Sequence, residues 1–98
     1  MTLPVRIRRE AELDLTEAFQ WYEERREGLG AEFLLCVEAA LEIISRQPAI
    51  HPIVHRQVRR ALIRRFPYGI FYVTDNDRVT VIAVMHAMRN PTRWKDRA

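Results

Sequence analysis

The amino-acid sequence predicts an α+β fold in which a helical hairpin covers a mainly antiparallel sheet. Between residues 9 and 47, apolar residues recur every three or four positions, which is the period of an amphipathic helix. Between residues 58 and 89, runs of β-branched and aromatic residues are separated by turn residues, as in an antiparallel meander. The two helices can cover one face of that sheet. The expected order of elements is β-α-α-β-β-β, followed by a short basic tail.

Length and composition indicate one globular domain spanning residues 1–98. Hydrophobic residues make up 48% of the chain, which is enough for a core and too many for a disordered protein. No apolar run approaches the roughly 20 residues of a membrane span, and the N-terminus lacks the apolar stretch of a signal peptide. The single cysteine, Cys36, excludes an internal disulfide and is expected to pack as a small hydrophobe. We therefore expect a cytoplasmic protein that does not associate with a membrane.

Charge is divided unevenly along the chain. Residues 1–47 contain six arginines against ten Asp and Glu, a net charge of −4, whereas residues 58–98 contain nine Lys and Arg against three Asp, a net charge of +6. Fifteen of the sixteen basic residues are arginine, the side chain suited to bidentate contacts with phosphate or carboxylate. The second half of the chain therefore provides either a binding surface for such groups or a solvated basic face.

The first predicted elements are a short strand and a helix. Val5-Arg6-Ile7-Arg8 alternates apolar and basic residues and is too short to be stable unless it joins the later sheet. From Arg9 onward one helical face carries Ala11, Leu15, Ala18, Phe19 and Tyr22. Leu13 and Trp21 lie off that face, either as ordinary surface residues or as part of a partner-binding face.

A second helix follows the break at Gly28-Leu29-Gly30 and is stopped near Gln47 by Pro48. Its apolar face consists of Phe33, Leu34, Val37, Ala40, Leu41 and Ile44. The short connection predicts an antiparallel helical hairpin. Both helices are acidic, which argues against a helix-turn-helix DNA reader because phosphate would repel them.

The segment 48–57 is expected to be a loop without a metal site. It contains His51 and His55 at a spacing that a helical metal site would use, but Pro52 lies between them and no third ligand follows at a suitable spacing. The chain also lacks a glycine-rich phosphate loop and a Ser-His-Asp arrangement. We expect no cofactor.

The meander is expected to bend at Pro67 and to turn tightly at Asp75-Asn76-Asp77. Its last run, Ile82-Ala83-Val84-Met85, has no polar face, so this strand should be covered on both sides or lie centrally in the sheet. The tail 90–98 adds little to the apolar pattern. We therefore expect that truncation after residue 90 leaves a cooperatively folded protein.

This arrangement resembles the RelE/ParE superfamily of bacterial toxins over nearly the whole chain. The matching motifs are short: Ala11-Glu12-Leu13-Asp14-Leu15 with Trp21-Tyr22, Arg59-Arg60, Arg65-Phe66-Pro67-Tyr68 with Phe71-Tyr72, the hairpin Asp75-Asn76-Asp77-Arg78-Val79, and His86-Ala87-Met88-Arg89-Asn90-Pro91 with Trp94. The resemblance implies the toxin of a type II toxin–antitoxin pair, which arrests growth and forms a hetero-oligomer with a cognate antitoxin. RelE-like members of the superfamily cut mRNA on the ribosome, whereas ParE-like members inhibit DNA gyrase.

The residues that RelE-like toxins use for cleavage carry over only in part. Arg89 falls where those toxins keep a catalytic arginine, and Arg60 matches one of their two basic strand residues. The other basic positions are occupied here by Leu62 and Gly69. The C-terminal tyrosine of those toxins has no counterpart in the tail.

Arginine does not titrate near neutral pH, so this partial set lacks a group for proton transfer. His86 is the remaining candidate base, although a histidine on a strand is more often a packed core residue.

The motif Phe66-Pro67-Tyr68 and the segment after Arg89 look closer to the ParE-like branch. We therefore expect a protein that inhibits DNA gyrase by binding and is not an enzyme, with a target surface formed by Arg89, Arg93, Trp94, Lys95 and Arg97. An apolar groove for the antitoxin is expected at Leu13, Trp21, Leu35 and Ile43. One alternative is a ribosome-dependent mRNA endonuclease that uses Arg60, Arg89 and His86. A second alternative is a non-toxic basic binding module of the same fold.

Overall fold

The computed structural model describes residues 2–89 and 91–98. The predicted α+β fold is confirmed: a five-stranded sheet packs against two long helices, and a short third helix follows the last strand. The elements in chain order are β1 (Val5–Ile7), α1 (Arg9–Arg25), α2 (Leu29–Arg46), β2 (Ile53–His55), β3 (Val58–Leu62), β4 (Tyr68–Thr74), β5 (Val79–His86) and α3 (Pro91–Lys95). Met1 and Asn90 lie outside the described residues, so the motif Arg89-Asn90-Pro91 is described only in part.

The sheet has the strand order β1-β5-β4-β3-β2. β1 runs parallel to β5 and pairs Val5 with Val79 and Ile7 with Val81, while the other neighbouring strands are antiparallel. The predicted joining of the N-terminal strand to the later sheet is thus confirmed. Because β1 ends opposite Val81, the rest of β5 has no strand on that side in the part of the chain that the structure describes.

The connection between α1 and α2 is shaped by two glycines and a carboxylate. The two carboxylate oxygens of Glu23 accept hydrogen bonds from the backbone N–H groups of Gly28 and Gly30, both at 2.9 Å, and so cap the N-terminus of α2. Gly28 has a φ of 87°, which glycine adopts without strain. A Cβ at Gly30 would lie 2.7 Å from the carbonyl oxygen of Phe19, so only glycine lets the helices approach this closely.

The main core lies between the helical hairpin and the sheet. Its helical members include residues from both predicted apolar faces, namely Ala11, Ala18, Tyr22, Phe33, Val37 and Ile44. Tyr22, Phe33 and Phe66 pack ring against ring with centroid separations between 4.8 and 5.3 Å. This packing joins α1, α2 and the segment that precedes β4.

A second apolar cluster includes Val58, Phe71, Ile82, Ala83, Met85 and Trp94. Together with the main core it buries every residue from Ile82 to Met85, which confirms the predicted cover on both sides. Trp94 of α3 is 4% exposed and stacks on Phe71 with a centroid distance of 4.4 Å. The expectation that the C-terminal tail contributes little to the core is therefore wrong.

A tight turn and a short edge strand complete the sheet. The predicted hairpin is confirmed between β4 and β5, where Asp75 Oδ1 accepts hydrogen bonds from the backbone N–H groups of Asp77 and Arg78 and these bonds lower the pKa of Asp75. The segment predicted as a loop before β3 contains the short strand β2, which pairs Ile53 with Arg59. Three residues after a proline are too few to show an alternating pattern, which explains why the sequence did not predict β2.

No helix of the described chain has the length and apolar character needed to cross a membrane. Among the same residues, no group of three or more His, Cys, Asp and Glu side chains could hold a metal ion.

Candidate functional site

A cleft of about 250 Å³ lies where α1, the ends of β4 and β5, and the C-terminal segment meet. We call it the arginine cleft. Its lining combines aromatic, basic and acidic side chains: Asp14, Glu17, Ala18, Trp21, Tyr68, Val84, Met85, His86, Arg89 and Arg93. Two of the residues predicted to bind the target, Arg89 and Arg93, thus share one concave surface.

Regular secondary structure positions most of this lining. Tyr68 at the start of β4 is the cross-strand partner of His86 at the end of β5, and their ring centroids lie 6.1 Å apart. Glu17 and Trp21 are one turn apart on α1 and therefore project from the same side of that helix. Arg93 lies on α3, while Arg89 lies in the turn after β5.

Tyr68 is a hydrogen-bond donor in this cleft. Burial raises the pKa of its phenol; the positive charge of Arg89 acts in the opposite direction, and the carboxylates of Asp14 and Glu17 raise the pKa further. The phenol therefore stays protonated at neutral pH and can donate a hydrogen bond but not accept a proton.

His86 has one ring nitrogen occupied. The backbone N–H of Met88 donates to His86 Nδ1 at 3.2 Å. Because Nδ1 accepts this bond, the neutral ring carries its proton on Nε2. In that tautomer Nε2 is a donor and has no free lone pair with which to act as a base.

Arg97 does not line the arginine cleft but holds the C-terminus against α1. Its Nη1 atom donates to Asp14 Oδ2 at 2.6 Å and to the carbonyl oxygen of Ile82 at 3.0 Å, and its Nη2 atom donates to Asp14 Oδ1 at 3.2 Å. Asp14 Oδ2 also accepts the backbone N–H of Val84 at 3.0 Å. This largely buried pair satisfies backbone groups of β5 beyond the end of β1, where no strand among the described residues pairs with β5 on that side.

The structure separates the five residues that were predicted to bind the target. Arg89 and Arg93 are exposed in the arginine cleft, and Lys95 is exposed on α3. Trp94 is buried in the second core cluster, and Arg97 is engaged with Asp14. Only the first three of these side chains are accessible to a partner in this conformation.

Of the three residues of the nuclease alternative, His86 and Arg89 line the arginine cleft and Arg60 does not. Arg60 lies on the face of the sheet that carries Phe71, because a Cβ at Gly69 would contact both Arg60 Cγ at 3.0 Å and Phe71 Cε1 at 3.5 Å. Tyr68 precedes Gly69 in β4, so its side chain and that of its partner His86 point to the opposite face. The side chains of Arg60 and His86 thus leave opposite faces of the sheet, while Arg60 Nη1 donates to the carbonyl oxygen of Ala87 at 3.4 Å.

Two of the four residues predicted to bind an antitoxin lie together. Leu35 and Ile43 line a groove of about 290 Å³ between α2 and the end of β3, which we call the α2 groove. They are 65% and 45% exposed. The remaining lining comprises Cys36, Ala39, Ala40, His51, Leu62, Arg64 and Arg65. Trp21 lines the arginine cleft instead, while Leu13 is exposed on α1 and lines neither cavity.

Asp14, Glu17 and Tyr68 were missed as site residues. Asp14 falls in phase with the apolar face of α1, between Ala11 and Ala18, and a carboxylate on a buried face signals a partner within the fold. Tyr68 could have been found by counting residues back from the β4–β5 turn to the position opposite His86. The Asp14–Arg97 pair joins residues 83 positions apart, so no local pattern in the sequence predicts it.

Sequence comparison matches residues 5–91 to the family of ParE toxins of the type II toxin–antitoxin system parDE. The chain is also similar to Toxin ParE2 of Mycobacterium tuberculosis, found in strains CDC 1551 / Oshkosh and ATCC 25618 / H37Rv. The identity to this toxin is 29% over 92 residues, covering 93% of this chain and 88% of the relative.

Solved structures share the fold. A chain of the chromosomal ParDE toxin–antitoxin system from P. aeruginosa superimposes with a TM-score of 0.77 at 12% identity, covering 87% of this chain and 96% of that one. A chain of the RelBE2 toxin–antitoxin complex from Mycobacterium tuberculosis gives a TM-score of 0.62 at 23% identity, covering 88% of this chain and 99% of that one. At these identities the likeness concerns the fold alone.

Proposed function

Since this chain belongs to the ParE toxin family of type II toxin–antitoxin systems, we propose that it arrests growth by binding DNA gyrase and that a cognate antitoxin neutralises it. One observation carries the proposal: Arg89 and Arg93, from two different segments, line one cleft beside the half-exposed Trp21. Two arginines next to an exposed indole form a binding surface for an acidic or phosphate-bearing partner.

The cleft supports binding better than catalysis. Cleavage of RNA requires a group that takes the proton of the 2′-hydroxyl, and general acid–base catalysis contributes about 100- to 10,000-fold to such reactions. His86 Nδ1 is occupied by the N–H of Met88, and the Tyr68 phenol stays protonated. Arg60 projects from the other face of the sheet, where its Nη1 donates to the carbonyl oxygen of Ala87, and it does not line the cleft.

The test compares gyrase inhibition with mRNA cleavage on one preparation. The purified protein should inhibit supercoiling by gyrase and leave ribosome-bound mRNA intact. Arg89→Ala should weaken inhibition at least tenfold with an unchanged circular dichroism spectrum. Arg78→Ala is the matched control, since Arg78 is an exposed arginine at the opposite end of β5, roughly 25 Å away along an eight-residue strand. Supercoiling that proceeds unchanged in a molar excess of the protein would refute the proposal.

A ribosome-dependent mRNA endonuclease is the second candidate function, and the presence of Glu17 in the cleft is the observation that favours it. In this mechanism Glu17 accepts the proton of the 2′-hydroxyl, the leaving oxygen takes a proton from solvent water, and the two arginines stabilise the charged intermediate. Glu17 is exposed to solvent, so the proton that it accepts can pass on to water. Specific cuts in mRNA at the ribosomal A site, abolished by Glu17→Gln, would establish this function in place of the first.

For the antitoxin, we propose that an amphipathic helix with acidic residues occupies the α2 groove. Leu35, Ile43 and Leu62 present large exposed apolar side chains around it, and Arg64 and Arg65 lie at its border. A helix that places its apolar face in the groove would set acidic side chains against these arginines. A second apolar groove, lined by Ile7, Leu15, Phe19 and Leu34 between α1 and α2, has no basic residue in its lining.

Affinity measurements with the purified antitoxin test this docking. Leu35→Ala and Ile43→Ala should each weaken binding about 30-fold, corresponding to ~2 kcal/mol for a buried anchor. Leu13→Ala is a truncation of the same size on α1, and Trp21→Ala removes the exposed indole. These two variants show whether the α1 residues belong to the same interface. Unchanged affinity in both α2 variants would exclude the α2 groove.

A further inference from the structure

We propose that the arginine cleft binds one unpaired nucleotide of a DNA strand, with the base beside Trp21 and Tyr68 and the phosphates on Arg89 and Arg93. The inference deepens the proposed function, since it assigns the contact to the DNA of the gyrase–DNA complex and not to a gyrase surface. It rests on three features of the cleft: its free positive charge, its aromatic side chains and its one uncompensated carboxylate.

The positive charge of the cleft is available to a ligand. Arg89 and Arg93 are exposed, and neither forms a salt bridge with the residues that the structure describes. The carboxylate of Asp14 is matched within the protein by Arg97. Two guanidinium groups facing one carboxylate, that of Glu17, leave the cleft with a net positive charge that attracts phosphate.

Aromatic side chains line the same cleft. Trp21 is 48% exposed, and a cation–π contact with Arg25, whose guanidinium carbon lies 3.6 Å from the ring centre, occupies one face of the indole. Tyr68 and His86 add two further partly exposed rings. Unpaired bases stack on such rings regardless of sequence, whereas a base inside a duplex is already stacked on its neighbours.

Glu17 indicates which base and which class of ligand fit. A carboxylate accepts hydrogen bonds from base amino and imino groups, and guanine offers an N1–H and an N2 amino group side by side. Thymine offers a single N–H on the same edge, so guanine should bind more tightly. An acidic peptide, the other ligand that two arginines could attract, has no donor on its acidic side chains for Glu17 and no ring to place beside Trp21 and Tyr68.

The proposal is tested by measuring the fluorescence anisotropy of a labelled single-stranded oligonucleotide when the protein is added. The oligonucleotide has one central dG between two runs of five thymidines. Two phosphate contacts predict a slope of about −1.4 for log K against log salt, and Arg93→Ala should halve it and weaken binding at least tenfold. Trp21→Ala should also weaken binding, while the exposed control Arg78→Ala should not. Replacing dG by dT should cost about tenfold, a difference that Glu17→Gln should abolish.

Three outcomes would overturn the proposal: affinity unchanged in both Trp21→Ala and Arg93→Ala, tighter binding of the same sequence as a duplex, or displacement of the oligonucleotide by a glutamate-rich peptide at lower concentration than by unlabelled oligonucleotide. Arg93 is exposed, so its loss should not affect folding, and this variant decides the matter even if Trp21→Ala is unstable. The supercoiling assay is independent. Inhibition that survives loss of oligonucleotide binding would refute the nucleotide contact and leave the gyrase proposal standing.

Discussion

Among single residues, Asp14 and Arg97 show most directly how the two ends of the chain are held together. Their bidentate contact is largely buried and is extended by hydrogen bonds to the backbone of Ile82 and Val84. A buried pair of this kind adds little net stability over an apolar pair, but the removal of one partner leaves the other charge without compensation.

Neutral substitutions measure this coupling. We expect Arg97→Gln to lower the free energy of unfolding by about 3 kcal/mol, because the carboxylate of Asp14 then stays buried without its counter-charge. The double variant Asp14→Asn with Arg97→Gln should lose less than the sum of the two single variants. Urea unfolding of the four proteins gives the coupling energy. Additive losses would contradict a direct interaction.

His51 links the loop before β2 to the sheet. Its Nδ1 lies 3.0 Å from the hydroxyl of Tyr72, which donates to the carbonyl oxygen of Pro48 at 2.7 Å. Burial lowers the pKa of His51, and the nearby charge of Arg59 lowers it further. Burial also raises the pKa of Tyr72 to about 12, so the phenol stays a donor throughout the physiological range.

This environment predicts an acid-sensitive contribution to stability. Because the pKa of His51 is lower in the folded state, the unfolded chain takes up a proton first, and stability falls as the pH drops below about 6.5. His51→Asn keeps a donor near the Nδ1 position but cannot titrate, so its stability should fall less between pH 7.5 and 5.5. Urea unfolding at a series of pH values measures the difference. Identical pH profiles for the two proteins would rule out this contribution.

At the level of elements, the short helix α3 contributes more to the stability of the fold than its five residues suggest. Trp94 stacks on Phe71, and Arg97 donates a hydrogen bond to the carbonyl oxygen of Ile82 in the part of β5 that extends beyond β1. Removal of residues 91–98 should therefore expose the second core cluster and break the Asp14–Arg97 pair.

We expect this truncation to lower the free energy of unfolding by more than 3 kcal/mol, the typical loss when a buried tryptophan is removed. For a chain of this length the thermal midpoint should fall by at least about 12 °C. Lys95→Ala is the matched control, since Lys95 is exposed on the same helix and its loss should change stability by less than about 0.5 kcal/mol. An equally cooperative transition at the same temperature in the truncated protein would restore the expectation that the tail is dispensable.

Much of the architecture could be predicted because it is encoded by local periodicity. The apolar faces of both helices, the turn at Asp75 and the double cover of Ile82–Met85 follow from residue spacing and turn chemistry. β2 and α3 could not be predicted in this way. β2 is stabilised by pairing with β3, and α3 by one tryptophan whose partner Phe71 lies 23 positions earlier.

The candidate site was less predictable than the fold. Basic character after β5 was visible in the sequence, but the roles of individual tail residues depend on which way each side chain points from a turn and a short helix. Arg93 faces the arginine cleft, whereas Arg97, four positions later, is drawn into the fold by the carboxylate of Asp14. Only the tertiary structure decides which arginines remain free.

For the whole molecule, arginines of the basic second half of the chain are divided between two separate candidate surfaces. The α2 groove presents apolar side chains bordered by Arg64 and Arg65, whereas the arginine cleft combines free arginines with an exposed indole. The cleft lies between α1 and the C-terminal segment, and the groove lies between α2 and β3. If an antitoxin occupies the groove, it must also extend to the cleft or block access to it in order to neutralise the toxin.

The central claim is that the protein arrests growth by acting on DNA gyrase through the arginine cleft. Its most direct test is induced expression in a bacterial host, with incorporation of labelled thymidine and of labelled leucine followed in the same culture. We predict that thymidine incorporation falls first, that Arg89→Ala and Arg93→Ala delay the fall, and that Arg78→Ala does not. A prompt stop in leucine incorporation while thymidine incorporation continues would contradict the account.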